Sequence, residues 1–237
     1  MWSKKNDNTL AFTIKFTIIL IFLQLIFCVN SLLALSPEIV LKNIEKITPE
    51  LIENNIYYLK PKNFAKNNNL RKKPGSPFFA KGEPLIIEGF VFDLFGVPIE
   101  NTVLKIWQAN YFGYYNYLVK NKTDYSKYDL DFESTGISVT DNAGHYVFFT
   151  IIPGYDKTHA PHINFLITNN EFNTLETMMF FEKHPKNLTD NQYRAMSRKN
   201  RGLLTCKIFY IDDEDHSVGK KCIFNIYLNG IHRRKRY

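Results

Sequence analysis

From residue 85 onward the chain is cut into short runs of β-branched and aromatic residues, separated by Gly, Pro, Asn and Asp. That punctuation restricts it to an all-β fold. "LIIEGFVFDL" is the first run and "FGVP" breaks it; "TVLKIWQA" is the second. On that second strand Leu104 and Ile106 share one face, while Val103, Lys105 and Trp107 share the other. "GISVT" and "HYVFFTII" flank Asp141-Asn142-Ala143-Gly144, a hairpin turn by residue type. "HINFLIT" and "TMMFFEK" follow, then a polar helical stretch, "LTDNQYRAMSRKN", then "LLTCKIFYI" and "KKCIFNIYL". Roughly seven or eight strands with these turn signals predict an antiparallel β-sandwich.

The 237 residues suffice for one such domain with an extension. A composition that is 45% hydrophobic and 15% aromatic excludes wholesale disorder. The formal charge is +7, but basic and acidic residues are interleaved, and the one dense basic run is the C-terminal "HRRKRY". A solvated tail is expected there, and no nucleic-acid partner.

The N-terminal part reads as three pieces. Residues 1–34 form a signal peptide: Lys4, Lys5 and Lys15 precede the apolar "FTIILIFLQLIFCV", with Ser31 and Ala34 as small cleavage-site residues. Left uncleaved, residues 16–35 would anchor the chain in a membrane. Residues 35–74 form a helical arm and basic linker. Ser36-Pro37-Glu38 and Thr48-Pro49-Glu50 are helix-start signatures, which predicts one or two short helices over residues 36–58. Residues 75–237 form the sandwich. The expectation is an exported protein, periplasmic or secreted. Export removes Cys28 and leaves Cys206 and Cys222, which a hairpin centred near Glu214 sets across from each other. A disulfide is expected between them.

Chemistry concentrates in "THAPHINFLI" and two tyrosines. On the strand that begins at His162, residues two apart share a face, so His162 and Asn164 point the same way. Tyr115 lies in the long tyrosine-rich connection after the second strand, and Tyr155 follows Pro153-Gly154 at a strand end. Phenolates and imidazole form a hard set that suits a ferric ion better than zinc or copper. With 14 tyrosines in the chain, residue type alone does not single these out.

Order and surroundings do. "EGFVFDLFGVPIENTVLKIWQANYFGYYNY", then "VTDNAGHYVFFTIIPGY", then "HAPHINF", closely resembles the intradiol ring-cleavage dioxygenases, most nearly the protocatechuate 3,4-dioxygenase chains. The likeness runs from about Gly75 to Gly230 and includes "FFEKHP" and "CIFNIYLNG". It implies a mononuclear Fe(III) held by two tyrosinates, at Tyr115 and Tyr155, and by histidine at His162. Tyr114 is the alternative should the loop register slip by one. It further implies a catechol-type substrate that displaces Tyr155, O2 as co-substrate, and ring opening between the two hydroxyl-bearing carbons. Relatives assemble as homodimers or hetero-oligomers, so a second copy is an expected partner.

The sequence departs from that pattern at three positions. Asn164 stands where the family has its second histidine ligand, and an amide is a weaker donor than imidazole. His159 stands where an arginine steadies the substrate's negative charge; histidine near neutral pH is mostly uncharged. Met178 stands where relatives carry glutamine. His159 is the candidate catalytic group, and Tyr115, Tyr155, His162 and Asn164 are the candidate metal ligands. Two functions stay open: an iron dioxygenase with a modified ligand set, and a non-catalytic exported sandwich of the same descent.

Overall fold

A computed structural model describes residues 46–52, 60–155, 159–211 and 219–231. The predicted signal peptide and the helix start at Ser36 lie outside the described residues. The second helix start is not borne out where it is described. Residues 48–52 form no helix: Thr48 N–H donates to Tyr227 O at 3.0 Å and Leu51 N–H to Glu176 O at 3.1 Å. Neighbouring strand edges satisfy this backbone, and that outweighs a local cap signal.

Among the described residues, ten strands form two sheets. The strands are β1 (Pro84–Phe92), β2 (Val103–Gln108), β3 (Thr135–Val139), β4 (His145–Ile151), β5 (His162–Asn169), β6 (Phe172–Phe181), β7 (Thr205–Cys206), β8 (Ile208–Ile211), β9 (Gly219–Ile223) and β10 (Ile226–Tyr227). One sheet is built on β1, with β4 along one side and β9, β10 and β8 beyond the other. The other runs β3-β2-β5-β6-β7. Both sheets are mixed, since β1 pairs in parallel with β9 and β10, and β6 with β7. Two short helices, α1 (Asn191–Ala195) and α2 (Arg198–Leu204), fill the polar stretch that reads as helical in sequence.

The sheets face each other across a dry core. Leu104 and Ile106 of β2 and Ile163, Phe165 and Ile167 of β5 are wholly buried, as alternation predicts. Phe165 meets Phe148 of β4 edge to face, with ring centroids 6.5 Å apart, a favoured aromatic geometry. The arm before β1 belongs to this packing. Leu70 is fully buried, its N–H donates to Phe149 O at 2.7 Å, and Ile137 N–H donates to Asn67 O at 2.8 Å.

Two sequence expectations need correction. The Asp141–Gly144 turn is tight, with Gly144 N–H donating to Asp141 O at 2.9 Å and Gly144 at φ +75°. It does not close a hairpin, however: β3 pairs with β2 and β4 with β1, so the turn passes the chain from one sheet to the other. Val91 N–H donates to Gly144 O at 2.9 Å and draws β4 onto β1.

The cysteine hairpin exists as β8–β9, but Cys222 lies opposite Ile208 rather than Cys206. Cys206 sits on β7, in the other sheet. Both cysteines are buried free thiols, not the expected bridge. Their sulfurs make weak hydrogen bonds to main-chain carbonyls, including a shared one at Lys207 O (3.5 and 3.7 Å). Contact with Cys206 and burial hold the Cys222 thiol far above the ordinary range. Among the described residues no helix is long and apolar enough to cross a membrane.

Candidate active site

Strand alternation puts His162 and Asn164 on the outer face of their sheet, away from the sandwich core. Both are nevertheless buried. Trp107 lies directly opposite Asn164 on β2, and Met178 opposite it on β6. Phe64 packs edge-on to Trp107 at 5.9 Å, and the Lys60 ammonium lies over the same indole, bound also to Glu176. The arm therefore roofs this face.

The connection after β2 brings Tyr115 in from above. Two buried asparagines shape it. Asn110 Oδ1 accepts from Phe112 N–H and Tyr114 N–H, while Asn110 Nδ2 donates to Asn116 Oδ1 and Lys127 O, both at 2.8 Å. Asn116 Nδ2 donates in turn to Asp129 O at 2.6 Å and Phe132 O at 3.0 Å. Gln108, also buried, ties the end of β2 to the end of β4 across the two sheets. Its amide donates to Ile151 O at 3.0 Å and accepts from Thr150 Oγ1 at 2.8 Å. This is the physical content of "IWQAN": its two amides, Gln108 and Asn110, together with Asn116 downstream, close a long loop by saturating its backbone.

Glycine makes the last approach. A Cβ on Gly154 would lie 2.2 Å from Tyr111 O, and one on Gly113, at φ +83°, would lie 2.7 Å from Tyr155 O. The loop that carries Tyr115 and the strand end that carries Tyr155 touch backbone to backbone, which only glycine permits.

The result is a compact polar triangle. Tyr115 Oη stands 3.1 Å from His162 Nε2, and Asn164 Nδ2 donates to Tyr115 Oη at 3.1 Å. His162 Nδ1 lies 2.8 Å from Ala160 O. A carbonyl only accepts, so Nδ1 carries the proton and Nε2 presents a lone pair to Tyr115. Tyr115 is thus the inward tyrosine, whereas Tyr114 is exposed. Asn164 acts as a donor to Tyr115 and, at 3.4 Å, to Trp107 O. A half-turn of the amide would exchange its oxygen into the same place.

The other predicted residues are placed differently. His159 is half-buried, its ring 6.3 Å from that of His162. Tyr155 is 52% exposed and packs edge-on against His184 at 5.4 Å, with the Lys186 ammonium 5.5 Å above its ring. His184 Nδ1 accepts from Lys186 N–H at 3.2 Å and caps the turn Pro185–Leu188. Burial, with a smaller push from Lys186, holds the His184 imidazolium below its ordinary pKa. Beside Tyr155 opens a cavity of about 380 Å³, walled by Tyr111, Phe112, Ile152, Pro153 and Pro161, large enough for a single aromatic ring.

Among the described residues no three His, Cys, Asp or Glu side chains converge as a metal site. A metal here depends on tyrosine oxygen. The donors present fit a hard ion: a phenol oxygen and a backbone-anchored imidazole nitrogen 3.1 Å apart match adjacent ligands each about 2 Å from one centre.

The dioxygenase family profile matches residues 54–230. The protocatechuate 3,4-dioxygenase beta chain of Burkholderia cepacia is 32% identical over 168 residues, covering 67% of this chain and 68% of that one. A Rickettsia conorii protein, provisionally named a dioxygenase, is 33% identical over 137 residues; these are 56% of this chain and 65% of the rickettsial one, so the match spans just under two thirds of that relative. An intradiol ring-cleavage dioxygenase from Tetranychus urticae shares the fold with a TM-score of 0.60 at 22% identity, over 80% of this chain and 97% of the other. The chain belongs to the intradiol ring-cleavage dioxygenase family.

Proposed function

We propose that the chain is an exported non-haem Fe(III) dioxygenase that opens a catechol-type ring with O2. The observation that carries this reading is the Tyr115–His162–Asn164 triangle, which sets a phenol oxygen beside an imidazole lone pair 3.1 Å away. Tyr115, His162 and Tyr155 would hold the ion, and Asn164 would complete the set only by its weaker amide oxygen. Bound there, the ferric ion would act as a Lewis acid and template that makes a chelated catecholate reactive toward O2.

The chain's own groups do the rest. Tyr115 would hold the ion as a phenolate, its proton lost to solvent, and the Asn164 N–H in its present orientation would stabilise that charge in place of ligation by the amide oxygen. His162 keeps its proton on Nδ1, held by Ala160 O, so Nε2 stays a donor atom. Tyr155, exposed and held by ring contacts, is free to move aside for substrate, while Lys186 above it supplies a cation near the entrance. The apolar part of the adjoining cavity wall would receive the ring. His159, next to His162, faces the substrate's developing negative charge.

A second reading has its own support. The buried polar groups of the triangle satisfy one another by hydrogen bonds, as a non-catalytic binding module of the same descent would require. Iron content and the visible spectrum of the mature chain after aerobic Fe(III) loading separate the two. About one iron per chain with a tyrosinate-to-iron charge-transfer band, and O2 uptake with catechol, is the expected result. A colourless, iron-free chain would end the dioxygenase reading in favour of the module.

A further inference from the structure

We infer that Asp190 is a positioning residue of this site, setting the direction of the His162 ring from outside the ligand set. Its carboxylate is buried and divides its oxygens between two segments. Oδ2 accepts from Ala160 N–H at 2.7 Å, and Oδ1 accepts from Tyr193 N–H at 2.9 Å as the N-cap of α1.

The first bond fixes the amide end of Ala160, and Pro161 confines the same residue to extended ψ. Together they aim the Ala160 carbonyl, which accepts His162 Nδ1–H at 2.8 Å. The second bond holds α1, whose Tyr193 ring stands 5.1 Å from Phe180, and Phe180 stands 5.8 Å from the His162 ring. Asp190 therefore governs both the hydrogen bond that selects the His162 tautomer and the aromatic wall against the ring. A helix of five residues does not by itself need a buried carboxylate as its cap; the reach to Ala160 is what an ordinary cap lacks. The direction of Nε2 toward Tyr115 follows, because a ring pinned at Nδ1 and packed on one face has one orientation left.

The iron arm of the test rests on the proposed function; the tautomer arm does not. Side-chain ¹⁵N NMR of the metal-free full chain, at about pH 8 where imidazoles are ordinarily neutral, reads which His162 nitrogen is protonated. Wild type is expected to show protonated Nδ1. Asp190→Ala should give a mixture of tautomers. After Fe(III) loading it should show roughly 10- to 100-fold weaker iron binding and a displaced charge-transfer band, the scale typical of lost outer contacts to a ligating histidine.

Ser197→Ala is the control. Ser197 caps α2 through Asn200 N–H at 3.1 Å, so this variant removes a helix cap without touching Ala160. It should lower the unfolding midpoint with the His162 tautomer and iron affinity intact. Asp190→Asn keeps a capping oxygen and covers the case in which the alanine variant does not fold; it should show a partial tautomer shift. If both Asp190 variants keep the wild-type tautomer and differ only in melting temperature, Asp190 is merely a cap and the inference is overturned. If wild type takes up no iron, the dioxygenase reading fails, while the tautomer comparison still decides the role of Asp190.

Discussion

The two sides of the candidate site are built differently. Tyr115, His162 and Asn164 are fixed by buried amides, a backbone carbonyl and strand register. Tyr155 and His159 hang at the edge, one exposed and the other half-buried, with rings and a lysine among their contacts. Under the proposed function the difference would have a chemical use. A centre that must hold one set of ligands while another makes way for substrate needs a rigid half and a releasable half. Here they coincide with the loop–strand clasp and the open strand end.

The largest expected effect tests the rigid half. Asn116→Ala would orphan the buried carbonyls of Asp129 and Phe132 and one arm of Asn110. It should lower stability by about 4 kcal/mol in urea denaturation. Tyr155→Phe, on the releasable half, should change stability by less than about 0.5 kcal/mol. Comparable losses in the two variants would erase the distinction.

Next in size is the glycine contact where the halves meet. Gly154→Ala places a methyl against Tyr111 O and should cost about 1–3 kcal/mol. Gly202→Ala, in α2 with nothing within 4 Å, should stabilise by about 0.5–1 kcal/mol. Equal, small effects would mean that the Gly113–Gly154 approach is slack and that the two sides are not in register.

A third change acts on chemistry. Asn164→His puts imidazole where a donor amide now faces Tyr115. Iron affinity, from competition with a chelator, should rise roughly tenfold or more. Unchanged affinity would place residue 164 outside any metal's reach and leave Tyr115 and His162 as the whole of the rigid half.

Much of this was legible before any coordinates. The alternation in "TVLKIWQA" and "HINFLIT" placed core and outer face correctly, because a period of two leaves little choice. The family resemblance picked out Tyr115 and His162, which the fold does bring within hydrogen-bonding distance. What escaped was non-local. Asp141–Gly144 has the residues of a hairpin turn, but whether its flanking strands pair is decided by what β1 and β2 offer, not by the turn. Thr48-Pro49-Glu50 has the residues of a helix start, but free strand edges at Glu176 and Tyr227 take its backbone. The cysteines do not face each other across the hairpin as expected, because Cys206 is drawn into the sheet of β6 before the hairpin begins and Cys222 falls opposite Ile208. Asp190, Asn110 and Asn116 look like ordinary loop polars in sequence. Only their burial distinguishes them, and burial is a property of the packed chain.

The smallest expected effect sharpens the releasable half through pH. His184 packs on Tyr155, and its Nδ1 lone pair caps the turn before α1. Its folded pKa lies below the ordinary value of about 6.5, through burial first and Lys186 second. Between those two values the unfolded chain binds the extra proton, so stability rises with pH and is lost as pH falls from 6.5 through the folded value. Protonation also removes the capping lone pair and sets a second cation beside Lys186. His184→Asn keeps a capping acceptor and cannot titrate. Urea midpoints between about pH 7.5 and pH 5 should therefore fall further for wild type than for the variant, while the carboxylates that both share cancel in the comparison. Parallel pH profiles would show that His184 already titrates as a solvated imidazole. The Tyr155 edge would then be looser than its ring contacts indicate, and closer to open before any substrate arrives.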